Sequence, residues 1–301
     1  MRDDVKEAEI KEADAKSAYI KDADVGKADT KDADVKKADI KDADVKKADT
    51  NAADVKGVKY TDRERLELKK YSLLSGSILK VMAVVFMLID HIAAYVLVYY
   101  PKALEPVITI GSHTLSVYNI MRKMGRISFP IFCFLLVEGF MHTGNRCKYG
   151  RNLIIFALIS EIPWNLVHSG SFFYSGQNVF FTLFLGYLGL CAIEKYSEDR
   201  AKQIGCLVLL MIAALVFNAD YGMRGFGFII MLYALRGTTI IRGVVGSCML
   251  PSYFAGIAFV PIAMYNGKRG FIKGKGAKYM FYAIYPIHMF ILYAVRYMYM
   301  V

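Results

Sequence analysis

The sequence predicts an all-α polytopic membrane bundle of about eight or nine transmembrane helices, preceded by a cytoplasmic segment of pentapeptide-like repeats. Three observations carry that expectation. From Ser77 onward long apolar segments rich in Phe, Tyr, Met, Leu and Ile alternate with short polar loops. Before about Glu67 the composition is different: charged residues are frequent, and Tyr19 and Tyr60 are the aromatic residues. Arg and Lys also gather in alternate loops, as they do on the cytoplasmic side of a membrane protein. The chain therefore divides into residues 1–57 (repeats), 58–76 (a basic linker) and 77–301 (the membrane region).

The repeats run from Ala8 to Gly57 as pentads of the type ADVKK and ADIKD. A period of five matches neither the 3.6 of a helix nor the 2 of a strand. It fits a square β-solenoid with Ala and the following aliphatic residue pointing inward, and the block resembles the pentapeptide-repeat pattern. The inward side chains are small, and neighbouring Lys and Asp gain little in water, so the block is expected as a disordered or partly helical tail, with a short β-solenoid as the alternative. The linker VKYTDRERLELKKYSLLSG reads as a short helix on the inner leaflet.

The first span is expected over Ile78–Tyr100, with Asp90 and His91 at its centre. The second lies within Gly125–Tyr149, where Arg126, Glu138 and His142 interrupt an apolar run and Pro130 is expected to bend the helix. Glu138 and His142 stand at i and i+4, on one face. Span three, Asn152–His168, carries Glu161. Span four, Asn178–Glu194, opens with Asn178 and Thr182 one turn apart. Span five ends at Asn218 before a polar turn containing Asp220, and span six covers Gly225–Leu235. The apolar stretch 238–265 is either one span or, split at Pro251, two short helices or a re-entrant pair. The last span, Tyr279–Tyr299, contains His288. Splitting at Pro251 keeps Lys268, Arg269, Lys273, Lys275 and Lys278 inside and favours nine spans.

The formal charge of +11 is spread over loops and flanks, so it reads as topology and not as a nucleic-acid surface. Five scattered cysteines without a CxxC pair give neither a disulfide framework nor a zinc site, and no metal is expected. The first 25 residues hold no apolar core of a signal peptide, which leaves the N-terminal region in the cytoplasm.

Taken singly, each intramembrane polar group has an ordinary role. A histidine bonds a neighbouring helix, Arg126 snorkels, Asn178 and Asp220 cap helices, and Glu138 neutralises an arginine. Together, Asp90, Glu138, Glu161 and Asp220 with His91, His142 and His288 carry a desolvation cost that a wet cavity would relieve. A histidine–carboxylate pair there can remove a proton from an attacking amine or hydroxyl. Proton-coupled transport or flipping uses the same residue types, although no internal repeat of the spans is visible. A third class, a membrane anchor for the repeats, leaves the buried charges without a purpose.

The segments MLIDHIAA, GRISFPIFCFLLVEGFMHT, FALISEIPWNL, NVFFTLFLG, NADYG and YPIHMFIL, in that order, resemble the motifs of the TraX family. That family is associated with N-terminal acetylation of conjugative pilin and is related to polytopic membrane acyltransferases. The resemblance covers about Gly76–Tyr299 and not the pentads. It implies acetyl transfer from acetyl-CoA to an amine or hydroxyl of an acceptor protein or surface polymer at the membrane. His91 is then the expected general base, oriented by Asp90 or another carboxylate, and Glu138 and His142 shape the donor entrance. Arg126, Glu161, Asn178, Thr182, Asp220 and His288 are implied around the substrates. Arg146, Lys148, Arg151 and the basic group at 268–278 are implied for the phosphates of CoA. The partners are membrane lipid and the acceptor, with no nucleic acid.

Overall fold

The computed structural model describes residues 72–110 and 113–300. The repeats and nearly all of the linker, with the expectations attached to them, lie outside the described residues.

Ser75 starts the first helix, α1 (Gly76–Tyr95), by accepting a bond from the Ile78 amide at 3.4 Å. A single 3₁₀ turn at Leu97–Tyr99 and a four-residue helix, α2 (Pro101–Leu104), follow. An antiparallel hairpin, β1 (Pro106–Ile110) with β2 (His113–Ser116), returns the chain to α3 (Val117–Gly125). Ser116 caps α3, its hydroxyl oxygen accepting from the Asn119 amide at 3.2 Å. A turn at Arg126 then leads into α4 (Ser128–His142). Pro130, expected to bend the helix in mid-span, lies instead in the first turn of α4, where its missing N–H leaves no carbonyl unpaired.

The helix α5 (Arg146–Ser169) starts six residues before the expected third span, capped by Asn145, so Arg146, Lys148 and Arg151 sit on a helix and not in a loop. Then come α6 (Val179–Lys195), α7 (Arg200–Val216) and α8 (Gly222–Ala234). The stretch 238–265 does break at Pro251, into α9 (Thr239–Met249) and two short pieces, α10 (Tyr253–Gly256) and α11 (Phe259–Ala263). A long helix, α12 (Lys275–Met300), closes the chain.

Two of these stretches, Gly76–Tyr99 and Val117–His142, are long and apolar enough to cross a membrane. Apolar side chains also crowd the outside of the bundle, among them Leu209, Leu215 and Val216 on α7. Such a surface suits lipid better than water. The core lies between α1, α4, α5, α6, α8 and α12, where Leu79, Ile131, Phe140, Leu190, Ile229 and Met289 are fully enclosed.

Hydrogen bonds between loops define the two ends of the bundle. At the Gly76 end the segment 264–272 is laced to the start of α1. The Leu74 amide donates to Met264, Asn266 to Leu74, Gly76 to Lys268 and Ser77 to Arg269. Arg146 pairs there with Glu194, whose other oxygen accepts from the Tyr233 hydroxyl at 3.0 Å. At the Tyr95 end the turn before α8 joins the turn before α6: Gln177 donates to Asn218, and Asp220 to Gln177. Arg296 reaches the Val167 carbonyl at that same end.

Candidate functional site

A cavity of about 580 Å³ runs through the core, bounded by α1, α4, α6 and α12. Its lining includes Asp90, His91 and Asp220 toward the Tyr95 end, and Lys80, Glu138 and His142 toward the Gly76 end. The polar residues that sequence reasoning pooled into one site are thus spread along a passage. On α1, Lys80 and His91 are eleven residues apart, a rise of about 16 Å.

His91 is the fifteenth position past Gly76 and lies in the last third of α1, not at its centre. Its partner is not a carboxylate. His91 Nδ1 is 2.6 Å from Nε2 of His288, and the two rings are parallel within 4°. His288 Nδ1 is 2.8 Å from the Ile284 carbonyl, which can only accept, so that nitrogen carries a proton. In a neutral pair His288 Nε2 therefore accepts, and His91 Nδ1 donates to it. His91 Nε2 is left with a free lone pair, and no partner for it is found among the described residues. His288 is itself outside the cavity lining and backs His91 from α12.

Asp90 is engaged elsewhere. One carboxylate oxygen is 2.7 Å from Arg122 on α3, while Oδ1 is buried without a partner among the described residues. The two helices touch closely at this point: a Cβ on Gly125 would come within 2.1 Å of the Asp90 Cβ, so only glycine fits. The turn residue Asp220 stands in the field of Arg126, Asp90 and Arg122. Enclosure by protein pushes its carboxyl up to about 6, with Asp90 adding and the two arginines opposing. The side chain still meets solvent in the cavity, which tempers the shift.

Three residues expected around substrate serve as ties between helices. Asn178 spends its whole amide on structure: Oδ1 caps α6 through the Phe180 amide, and Nδ2 donates to the Ala157 carbonyl and to Glu161 at 2.6 Å. Thr182 accepts from the Tyr221 amide at 3.4 Å. Asn178, Thr182 and Glu161 are absent from the cavity wall, and so are Arg146, Lys148 and Arg151. Arg146 is held by Glu194 and by the ring of Phe140.

At the opposite end Glu138 and His142 are 3.4 Å apart on the cavity wall, and His142 is mostly exposed. Tyr265 lies against Glu138.

Sequence reasoning missed several groups that the fold assembles beside His91. The Tyr95 hydroxyl is 2.8 Å from His168 Nε2, and His168 Nδ1 is held by the Trp164 carbonyl. Tyr285 is 4% exposed and lines the cavity, and among the described residues no acceptor takes its hydroxyl proton, although the Val179 backbone lies beside it. It opens the segment YPIHMFIL, in which sequence reasoning assigned a role to His288 and none to the phenol, because nothing in the sequence shows what its hydroxyl faces.

Residues 75–296 match the family described as TraX protein. The chain belongs to the TraX family. A curated relative, described as a probable fimbrial assembly protein, FimC, of Dichelobacter nodosus, is 31% identical over 248 residues, covering 71% of this chain and 92% of that one. No solved structure matches. The TraX match begins at the cap of α1 and ends in α12, so it spans the cavity wall from end to end. Among the described residues there is no cluster of His, Cys, Asp and Glu fit to hold a metal.

Proposed function

We propose that this TraX chain is a multi-pass membrane acetyltransferase that uses acetyl-CoA and delivers the acetyl group to an amine or hydroxyl of an envelope acceptor. One observation carries the reading: a single cavity connects an unpaired imidazole nitrogen, His91 Nε2, with a cationic opening at the other end of the bundle. Acyl transfer needs a base at the acceptor and an approach for an anionic, long-armed donor.

The basic residues Arg146, Lys148, Arg151, Lys195, Arg200 and Lys202 gather at the Gly76 end, which therefore faces the cytoplasm. On that orientation α9 with α10–α11 forms a short hairpin within the bilayer, the count is nine, and residues preceding α1 are cytoplasmic. His91 lies toward the outer face, where a fimbrial subunit or a surface polymer is within reach.

The chemistry divides among the chain's own groups. His91 Nε2 accepts the proton of the acceptor as its nitrogen or oxygen bonds to the thioester carbonyl carbon. The Tyr285 hydroxyl donates to the carbonyl oxygen while that oxygen carries negative charge. The carbon–sulfur bond then breaks, the carbonyl reforms, and His91 returns the proton to the departing thiolate. His288 keeps the proton on His91 Nδ1, so that Nε2 is the basic nitrogen.

Purified protein in bilayer discs, given acetyl-CoA and a peptide with a free N-terminus or a soluble polysaccharide, should release thiol and acetylate one of the two. A proton-coupled transporter with the same residues would move substrate without releasing thiol. Failure to release thiol with either acceptor, alongside proton uptake by vesicles holding the protein, would replace this reading with the transporter.

A further inference from the structure

At the Gly76 end the cavity wall carries Lys80 from α1, Arg269 from the loop after α11, and Lys278 from α12. Three elements far apart in sequence bring three cations to one opening. Lys80 lies within electrostatic reach of both others. Like charges so placed repel, at a cost that a bound anion would remove. Lysines that only set topology have no need to converge on a passage; they serve equally at any cytoplasmic flank. Among the described residues no carboxylate pairs with any of the three. The acidic group on the same wall, Glu138, is paired with His142 and lies against Tyr265.

The opening is also held in shape. Arg269 accepts from both the Ser77 amide and the Ser77 hydroxyl, the latter at 2.7 Å, and the Ile272 amide donates to that hydroxyl at 2.8 Å. Gly270, with φ of 85°, makes the close approach possible, since a Cβ there would fall 2.3 Å from the Ser75 hydroxyl oxygen. The first amides of α1 are consumed by Ser75, Lys268 and Arg269, so side chains and not the helix start must hold an anion here. Beside them, Lys278 stands 5.8 Å from the ring centre of Tyr149 and 6.0 Å from that of Tyr282, both lining the cavity.

We infer that Lys80, Arg269 and Lys278 form the phosphate site of a phosphopantetheine-bearing thioester, with the arm lying along the cavity and the acyl carbon at His91. The inference rests on the acetyl-transfer reading and, of the basic groups expected for the phosphates, keeps Arg269 and Lys278, drops Arg146, Lys148 and Arg151, and adds Lys80. Length supports it. The 16 Å rise from Lys80 to His91 is close to the reach of the arm, whose thirteen bonds from phosphorus to sulfur span about 15 Å at the extension per bond of a polypeptide.

Equilibrium binding of CoA and of pantetheine, which lacks the phosphates, to the full chain in bilayer discs tests the site. CoA should bind with a salt-dependent Kd. The triple variant Lys80→Gln, Arg269→Gln, Lys278→Gln should weaken CoA binding by about tenfold to a hundredfold, in line with loss of charge-assisted hydrogen bonds. Pantetheine should bind more weakly than CoA and equally to both proteins. Arg151→Gln should leave CoA binding unchanged. Lys80→Met and Arg269→Gln, made singly, read the same effect if the triple variant does not fold. CoA binding that is indifferent to these changes, or pantetheine binding as tight as CoA, would overturn the phosphate site and leave acetyl transfer standing. Wild-type protein that binds no CoA would remove both.

Discussion

The cavity's two ends present the same residue types in different states. Asp90 with His91, and Glu138 with His142, are each a carboxylate beside an imidazole on one helix. At the first pair both side chains are committed to other helices: Asp90 to Arg122 on α3 and His91 to His288 on α12. At the second the partners are each other, and the His142 side chain is 69% exposed. A group restrained by a neighbour and sheltered from water keeps one tautomer and one direction; His142, open to solvent, can exchange Glu138 for water. The residue types are alike at both ends but the spacing is not: helix neighbours such as Asp90 and His91 point about 100° apart and find partners on other helices, whereas Glu138 and His142, at i and i+4, share one face.

The comparison breaks most sharply at His91. His91→Ala should lower turnover by about 10²–10⁴, the usual span for a general base, while the thermal midpoint changes little. Full turnover of the purified variant would remove His91 from the mechanism. His288→Ala should cost about tenfold, the worth of one net hydrogen bond, in kcat and not in KM. A structural role for His288 would instead lower the melting point and leave the activity of the folded fraction intact. Added imidazole should restore part of the His288→Ala rate, since the vacated site has the shape of the ring it lost.

At the other end the expected effect is smaller. Glu138→Gln and His142→Gln should each change turnover by less than about threefold, because a pair with one member open to solvent contributes little. A loss as large as that of His91→Ala would mean that the two ends act as one site, and the division argued here would fall.

Much of the fold was legible. The expected span Asn178–Glu194 meets α6 at Val179–Lys195, and the break at Pro251 and the cap at Asn178 are where composition placed them. These features are local: an apolar run, a ring without an N–H, a side chain that bonds an amide two residues on. The candidate site was legible in its inventory and not in its wiring. His91 and His288 are 197 positions apart, so no spacing rule connects them. Asn178, Thr182 and Glu161 looked like substrate groups because a polar residue in an apolar run signals cost; whether helix or substrate relieves that cost depends on packing. Lys80 was overlooked for the opposite reason, since a lysine near the start of a span has an ordinary explanation in topology.

Asp220 gives the finest test of the difference between the ends. Its carboxyl is raised to about 6 in the folded chain, against 3.8 for the free group, chiefly because protein surrounds it. A raised carboxyl binds its proton more tightly in the folded state than in the unfolded one, so its favourable contribution is complete below about 3.8 and is lost as the pH climbs through about 6. Asn imitates the neutral form at every pH. Asp220→Asn should therefore match the wild type in thermal midpoint at pH 4 and exceed it at pH 8. The gain should be about 2 °C or less, since the side chain still meets water in the cavity. Acetyl transfer by Asp220→Asn should fall even as the protein becomes more stable, which is the trade expected of a charge kept for function. If the variant is instead less stable at pH 8, Asp220 serves chiefly as the counter-charge to Arg126, and the Tyr95 end is held together by ion pairs rather than kept charged for a substrate.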